Sequence, residues 1–141
     1  MAEVDPGEQK YADGDSVPHT LGSDTAVAGD AMVISASSGD LILTDGSNGF
    51  GGVLGTETAA GSQDSSVASG DDAVLQVQGV VRVNVASGVS AGNKLVPSST
   101  TSGQLETIDS NGDGTADPAE PGDIMALTDA DANGYALARL P

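Results

Sequence analysis

Apolar and polar residues alternate most regularly from Leu75 to Val85, LQVQGVVRVNV. Leu75, Val77, Val81, Val83 and Val85 take one set of alternate positions, with Gln76, Gln78, Arg82 and Asn84 between them. A period of two puts each set on one face of an extended chain, so this stretch predicts a half-buried strand that organises the rest. Gly79 leaves a hole in the apolar row and Val80 breaks the polar row, marking the place for a bulge, a bend or a close backbone approach.

Shorter runs predict further strands at LILT (Leu41 to Thr44), GVLGT (Gly52 to Thr56), QLETI (Gln104 to Ile108) and YALARL (Tyr135 to Leu140). In the last, Tyr135, Leu137 and Arg139 alternate with Ala136, Ala138 and Leu140. Turn clusters at SSGD (Ser37 to Asp40), DGSNG (Asp45 to Gly49), SGDD (Ser69 to Asp72) and SNGDG (Ser110 to Gly114) recur at spacings too short for helices. Ala116 to Ala132 carries Pro118, Pro121 and Gly122, so it too is non-helical. The expected fold is all-β: a small β-barrel of short antiparallel strands over residues 21–141. Met1 to Thr20, polar and punctuated by Pro6, Gly7, Gly14 and Pro18, predicts an extended N-terminal arm. His19, the only histidine, lies beside Pro18 and reads as a turn or surface residue.

One unit recurs. AVAGDAMVIS (Ala26 to Ser35), GVSAGNKLVPS (Gly88 to Ser98) and AEPGDIMALTD (Ala119 to Asp129) each set a tight turn around Gly29, Gly92 or Gly122 before an apolar run. Glycine supplies a backbone conformation that other residues disfavour, and the following Asp30, Asn93 or Asp123 can hydrogen-bond the turn's own backbone.

Composition narrows the function. The chain has 141 residues, of which 29 are Val, Leu, Ile or Phe. That is barely above the level, about a fifth, at which a highly charged chain stays unfolded, so the expected core is thin: either the domain is loosely cored or it shares buried surface with copies of itself. Twenty-one acidic residues against four basic ones give a net charge of -17. Nucleic acid is a poor partner, since only Lys10, Arg82, Lys94 and Arg139 could meet phosphate. Asp is scattered along the chain, which fits a protein of a hypersaline cytoplasm whose self-repulsion is screened in molar salt. Cysteine is absent, which rules out disulfides and thiolate metal sites. The opening MAEVDPGEQKYADGD predicts no export signal, and no apolar run suggests a membrane span.

The sharpest local motif is DSNGDGTADPAE, Asp109 to Glu120. It fits the spacing of a calcium loop: Asp109, Asn111 and Asp113 offer side-chain oxygens, Gly114 the sharp turn, Thr115 its carbonyl, Asp117 a direct or water-mediated contact, and Glu120 a bidentate closure. The loop is therefore a candidate site for a structural Ca2+ or Mg2+, although QLETI and EPGDIMAL are not the flanking helices of an EF-hand. The rival reading is an Asx-rich surface turn. Gly-rich GFGGVLG (Gly49 to Gly55) lacks the following helix and the lysine of a phosphate-binding loop. With one His, no Cys and no base placed for the many Ser, no catalytic residues and no required cofactor are expected.

VAGDAMVI, the strand start GGVLGT, QGVVRVNV followed at once by GVSAGNKL, and the late PGDIMALTDADANGYALARL together resemble the capsid cement or head-decoration proteins of tailed viruses. The resemblance covers about Val27 to Leu140, with an insertion at residues 109–120. It implies a small β-barrel, usually trimeric, on the outer capsid shell, clamping neighbouring major capsid proteins; with this acidity, the version would come from a virus of salt-loving archaea. Its localisation would be the virion, after assembly in the host cytoplasm. Its partners would be itself, as a homotrimer, and the major capsid protein, with neither nucleic acid nor membrane. The alternative is a calcium-binding β-rich module of a haloarchaeal surface or secreted protein.

Overall fold

The computed structural model describes residues 16–22, 25–47, 49–55 and 66–141. Among them every regular element is a strand: β1 (Ser16–Thr20), β2 (Ala26–Val27), β3 (Ala31–Ile34), β4 (Leu41–Leu43), β5 (Gly52–Leu54), β6 (Ser66–Val67), β7 (Asp72–Gln76), β8 (Gly79–Asn84), β9 (Lys94–Pro97), β10 (Leu105–Thr107), β11 (Ile124–Ala126) and β12 (Tyr135–Leu140). The chain is all-β, as its periodicity predicts, and no helix is long and apolar enough to cross a membrane.

The strands form two five-stranded antiparallel sheets and a two-stranded ribbon, β2 with β6. Sheet I runs β1-β7-β5-β3-β4 and sheet II runs β10-β9-β11-β12-β8, so successive halves of the chain build successive sheets. Each curls in the manner of a small barrel. Leu21, just past β1, forms a parallel bridge with Leu41 of β4, and Val85, just past β8, forms one with Leu105 of β10. Gly22 N–H donates to Leu41 O at 2.7 Å and Ala86 N–H to Leu105 O at 2.8 Å, covering edges that would otherwise stay open.

The expectation of one strand over Leu75 to Val85 is corrected. The chain leaves sheet I after Gln76 and enters sheet II at Gly79, whose φ of 94° is open to glycine and strained for residues with a Cβ. The alternation still describes burial, but it serves two cores. Leu75 belongs to a cluster with Leu21, Met32, Leu41 and Leu54, against which Val77 packs. Val81, Val83 and Val85 belong to another with Leu95, Leu105, Ile124 and Leu140, joined by Ala31 and Val53 from sheet I. Phe50 packs against this second cluster. The first core is built from Leu and Ala with Met32 and the second from Val, Leu and Ala with Ile124, and among the described residues neither contains a fully buried aromatic ring.

The recurrent glycine turns take the same form three times. Gly29, Gly92 and Gly122 have φ of 95°, 90° and 93°. In each, the residue after the glycine donates its N–H back three positions: Asp30 to Val27 O at 3.1 Å, Asn93 to Ser90 O at 3.1 Å, and Asp123 to Glu120 O at 3.0 Å. Its side chain accepts from the same residue's N–H, at 3.0, 2.9 and 2.9 Å respectively. This pair of bonds closes the turn and launches β3, β9 or β11. Ser16–Thr20, the last five residues of the segment read from sequence as an arm, pair with β7 as the outer strand of sheet I, and Met1–Asp15 lie outside the described residues.

Candidate functional site

The loop 109–120 joins β10 to β11 and is fastened to the side of sheet II by its backbone. Asp117 N–H donates to Ile108 O at 2.7 Å, Lys94 N–H donates to Asp117 O at 2.9 Å, and Ala119 N–H donates to Gly92 O at 3.0 Å. Asn93 and Pro118 form an isolated antiparallel bridge. Its flanks are strands, as the sequence indicates.

Within the loop, the side chains proposed as ligands accept from the loop's own amides. Asp109 takes Asp113 N–H on Oδ1 at 3.2 Å and Gly114 N–H on Oδ2 at 2.8 Å. Asn111 Oδ1 accepts Asp113 N–H at 3.1 Å, and Asp113 Oδ1 accepts Thr115 N–H at 2.9 Å. Asp117 turns to Ser110, taking its hydroxyl at 2.5 Å and, more weakly, its amide. Thr115 and Glu120 are exposed. Among the described residues no three His, Cys, Asp or Glu side chains come together as a group that could hold a metal ion. Asp117, Glu120 and Asp123 instead line an open pocket of about 330 Å3 with Lys94, whose Nζ lies 3.7 Å from Asp123 Oδ1. The ammonium thus supplies positive charge to the acids at the loop's end.

The second constellation is the joint between the sheets. Asn84 of β8 donates its N–H to Gly29 O at 2.8 Å, Gly29 donates to Leu54 O at 2.9 Å, and Ala31 donates to Gly103 O at 2.8 Å. Asp30 is 8% exposed in this joint. Besides the Val27 amide, its carboxylate accepts Asn84 Nδ2 at 3.2 Å, and Asn84 Oδ1 accepts Gln104 Nε2 at 3.4 Å. Burial raises the Asp30 pKa above the usual carboxylate value, against the opposing pull of its bonds from Val27 and Asn84. Thr44, wholly buried, takes Gly103 N–H on its carbonyl while its Oγ1 has no partner.

A cleft of about 350 Å3 opens beside this joint, between Val53–Gly55 of sheet I and Val81, Arg82 and Tyr135 of sheet II. The Arg82 guanidinium lies 4.5 Å from the Tyr135 ring centre and pairs with Asp131 at 2.9 Å. The arginine's hydrogen bond is the main cause that holds the Asp131 carboxyl below the usual range. Among the described residues no carboxylate, imidazole or amine lines the cleft. It can hold an apolar group beside a cation.

Two features escape a reading by motif: the Asp30–Asn84–Gln104 link, and the gathering of Arg82, Lys94 and Arg139 on the outer face of sheet II. The alternation in YALARL and GVVRVN was the available signal for the second, since it sets Arg139 and Arg82 outward once the two strands pair. Fold and geometry together define an all-β protein of two curled antiparallel sheets joined at a glycine–aspartate turn. No protein-family model matches the chain, and a search of curated proteins returns no match.

Proposed function

We propose that this chain is a structural virion protein of a halophilic archaeal virus, a homotrimer that decorates the outer surface of an icosahedral capsid and bridges neighbouring major capsid proteins. The observation that carries the reading is that the segments resembling cement proteins coincide with the parts that make this fold. VAGDAMVI forms the turn at the joint and β3 of sheet I; QGVVRVNV with GVSAGNKL carries the crossing into sheet II; PGDIMALTDADANGYALARL supplies β11 and β12. Support also comes from the two small Val- and Leu-lined cores, which suit a subunit that gains stability by association.

Mass spectrometry of purified virions tests the reading. The chain is expected in the capsid fraction at a copy number comparable with the shell protein, and to be lost on dialysis into dilute salt. Its absence from virions would refute the proposal.

A further inference from the structure

Of the described Arg and Lys residues, Arg139 is the one for which the structure records no carboxylate partner: Arg82 pairs with Asp131 at 2.9 Å and Lys94 lies 3.7 Å from Asp123. In a chain of net charge -17 that is an anomaly. Its surroundings explain it. Arg139 of β12 faces Met125 of β11 on one side and Val80 of β8 on the other, and Met125 in turn faces Lys94 of β9. The next outward row sets Leu137 of β12 against Arg82 of β8. Val80 is 59% exposed, Leu137 42% and Leu127 36%. No acid occurs in β8, β11 or β12.

The face thus joins Arg, Tyr and Met to exposed aliphatic side chains and excludes carboxylates from its strands, the composition found at the centre of protein contacts. Its charge fits an acidic protein surface. The chain itself carries one: Asp109, Asp113 and Glu120 are exposed on the loop fastened to β9, two strands from β12. A two-fold contact of the face with itself would oppose Arg139 to Arg139, which costs energy with no acid on those strands to offset it. A head-to-tail contact, face of one copy on the loop of the next, opposes unlike charges and builds a ring where the rotation between copies closes.

We propose that the outer face of β8, β11 and β12 is the contact surface for the acidic loop 109–120 of a second copy of this chain. The contact does not require a capsid. Net charges of -17 repel at long range, so the copies meet where salt shortens the screening length to about 3 Å, while a pair enclosed in the contact is screened less.

Sedimentation in molar KCl tests this with three chains: wild type, Arg139→Glu, and Asp113→Lys with Glu120→Lys. Arg139 is exposed, and unchanged far-UV circular dichroism checks the fold of each variant. Wild type is expected to be a ring oligomer and each variant alone a monomer, dissociation being favoured at least about tenfold. In the mixture both contacts between unlike variants oppose unlike charges, the reversed face meeting the reversed loop and the unaltered face the unaltered loop, so mixed oligomers form. A monomeric wild type, a variant that still assembles alone, or a mixture that stays monomeric would overturn the inference. The inference rests on the homotrimer of the proposed function, so a monomeric wild type counts against both, whereas absence of the chain from virions would refute the capsid role and leave this contact standing.

Discussion

Replacing the three turn glycines by alanine separates backbone strain from crowding. Gly29, Gly92 and Gly122 share a φ within a few degrees of one another and the same closing hydrogen bonds, so each alanine meets the same left-handed penalty, about 1–2 kcal/mol. Reduced freedom of the unfolded chain offsets about 0.4–1 kcal/mol of it, leaving a net loss of about 1 kcal/mol. At Gly92 and Gly122 nothing lies within 4 Å of the added methyl, and the cost ends there. At Gly29 the new Cβ lies 2.8 Å from Tyr135 Cε1 and 3.4 Å from the Arg82 carbonyl oxygen. The ring, held beneath the Arg82 guanidinium, has to move, which adds roughly 1–3 kcal/mol of overpacking. Gly29→Ala is therefore expected to lose about 2–4 kcal/mol against about 1 kcal/mol for the other two. Urea unfolding in molar salt, followed by circular dichroism, reads this as a shift in midpoint at constant slope. Tyrosine fluorescence offers a local probe, since the chain has two Tyr and no Trp. Equal losses at all three positions, or a larger loss at Gly92 than at Gly29, would refute the argument.

Three further outcomes are expected. Carboxyl NMR titration should find Asp30 titrating above 3.8, because burial disfavours its charged form, and Asp131 below it, because Arg82 favours the charged form. The stability due to Asp30 is thus complete below about pH 3.8 and lost as pH rises through its folded value, whereas that due to Asp131 is present above 3.8 and lost as pH falls through its own; the reverse order of titration would contradict the structure. Thr44→Val removes a buried hydroxyl without a partner and should raise stability by about 1 kcal/mol in the same urea assay; a loss of similar size would mean that Oγ1 is bonded. Lowering salt from molar to about 0.1 M lengthens screening from about 3 to 10 Å and, at a net charge of -17, should lower the melting temperature; an unchanged melting curve would count against salt adaptation.

Loop 109–120 shows how far a spacing reaches. The pattern named a candidate cation loop, and in the structure Asp109 accepts two of the loop's own amides. Spacing along a chain does not fix where carboxylates point across space. Asp117 turns to Ser110 within the loop, and Glu120 lines a pocket with Lys94 because β9 runs alongside the loop.

What the sequence determined by itself is local. A glycine that must take positive φ, an Asp or Asn that can reach an amide three residues back, and the alternation of strand faces are settled within a few bonds, and so the turns at Gly29, Gly92 and Gly122 and the β class were legible. The allocation of strands to sheets was decided by tertiary contacts. Leu75 to Val85 has one alternating pattern, yet Gly79 sends its halves into different sheets and cores. The same Gly-Asp/Asn turn is half-exposed at Asn93 and Asp123 but buried at Asp30, whose partner Asn84 lies 54 residues away, and Arg82 finds Asp131 49 residues away. Burial and charge pairing depend on such distant neighbours, which a backbone periodicity cannot specify.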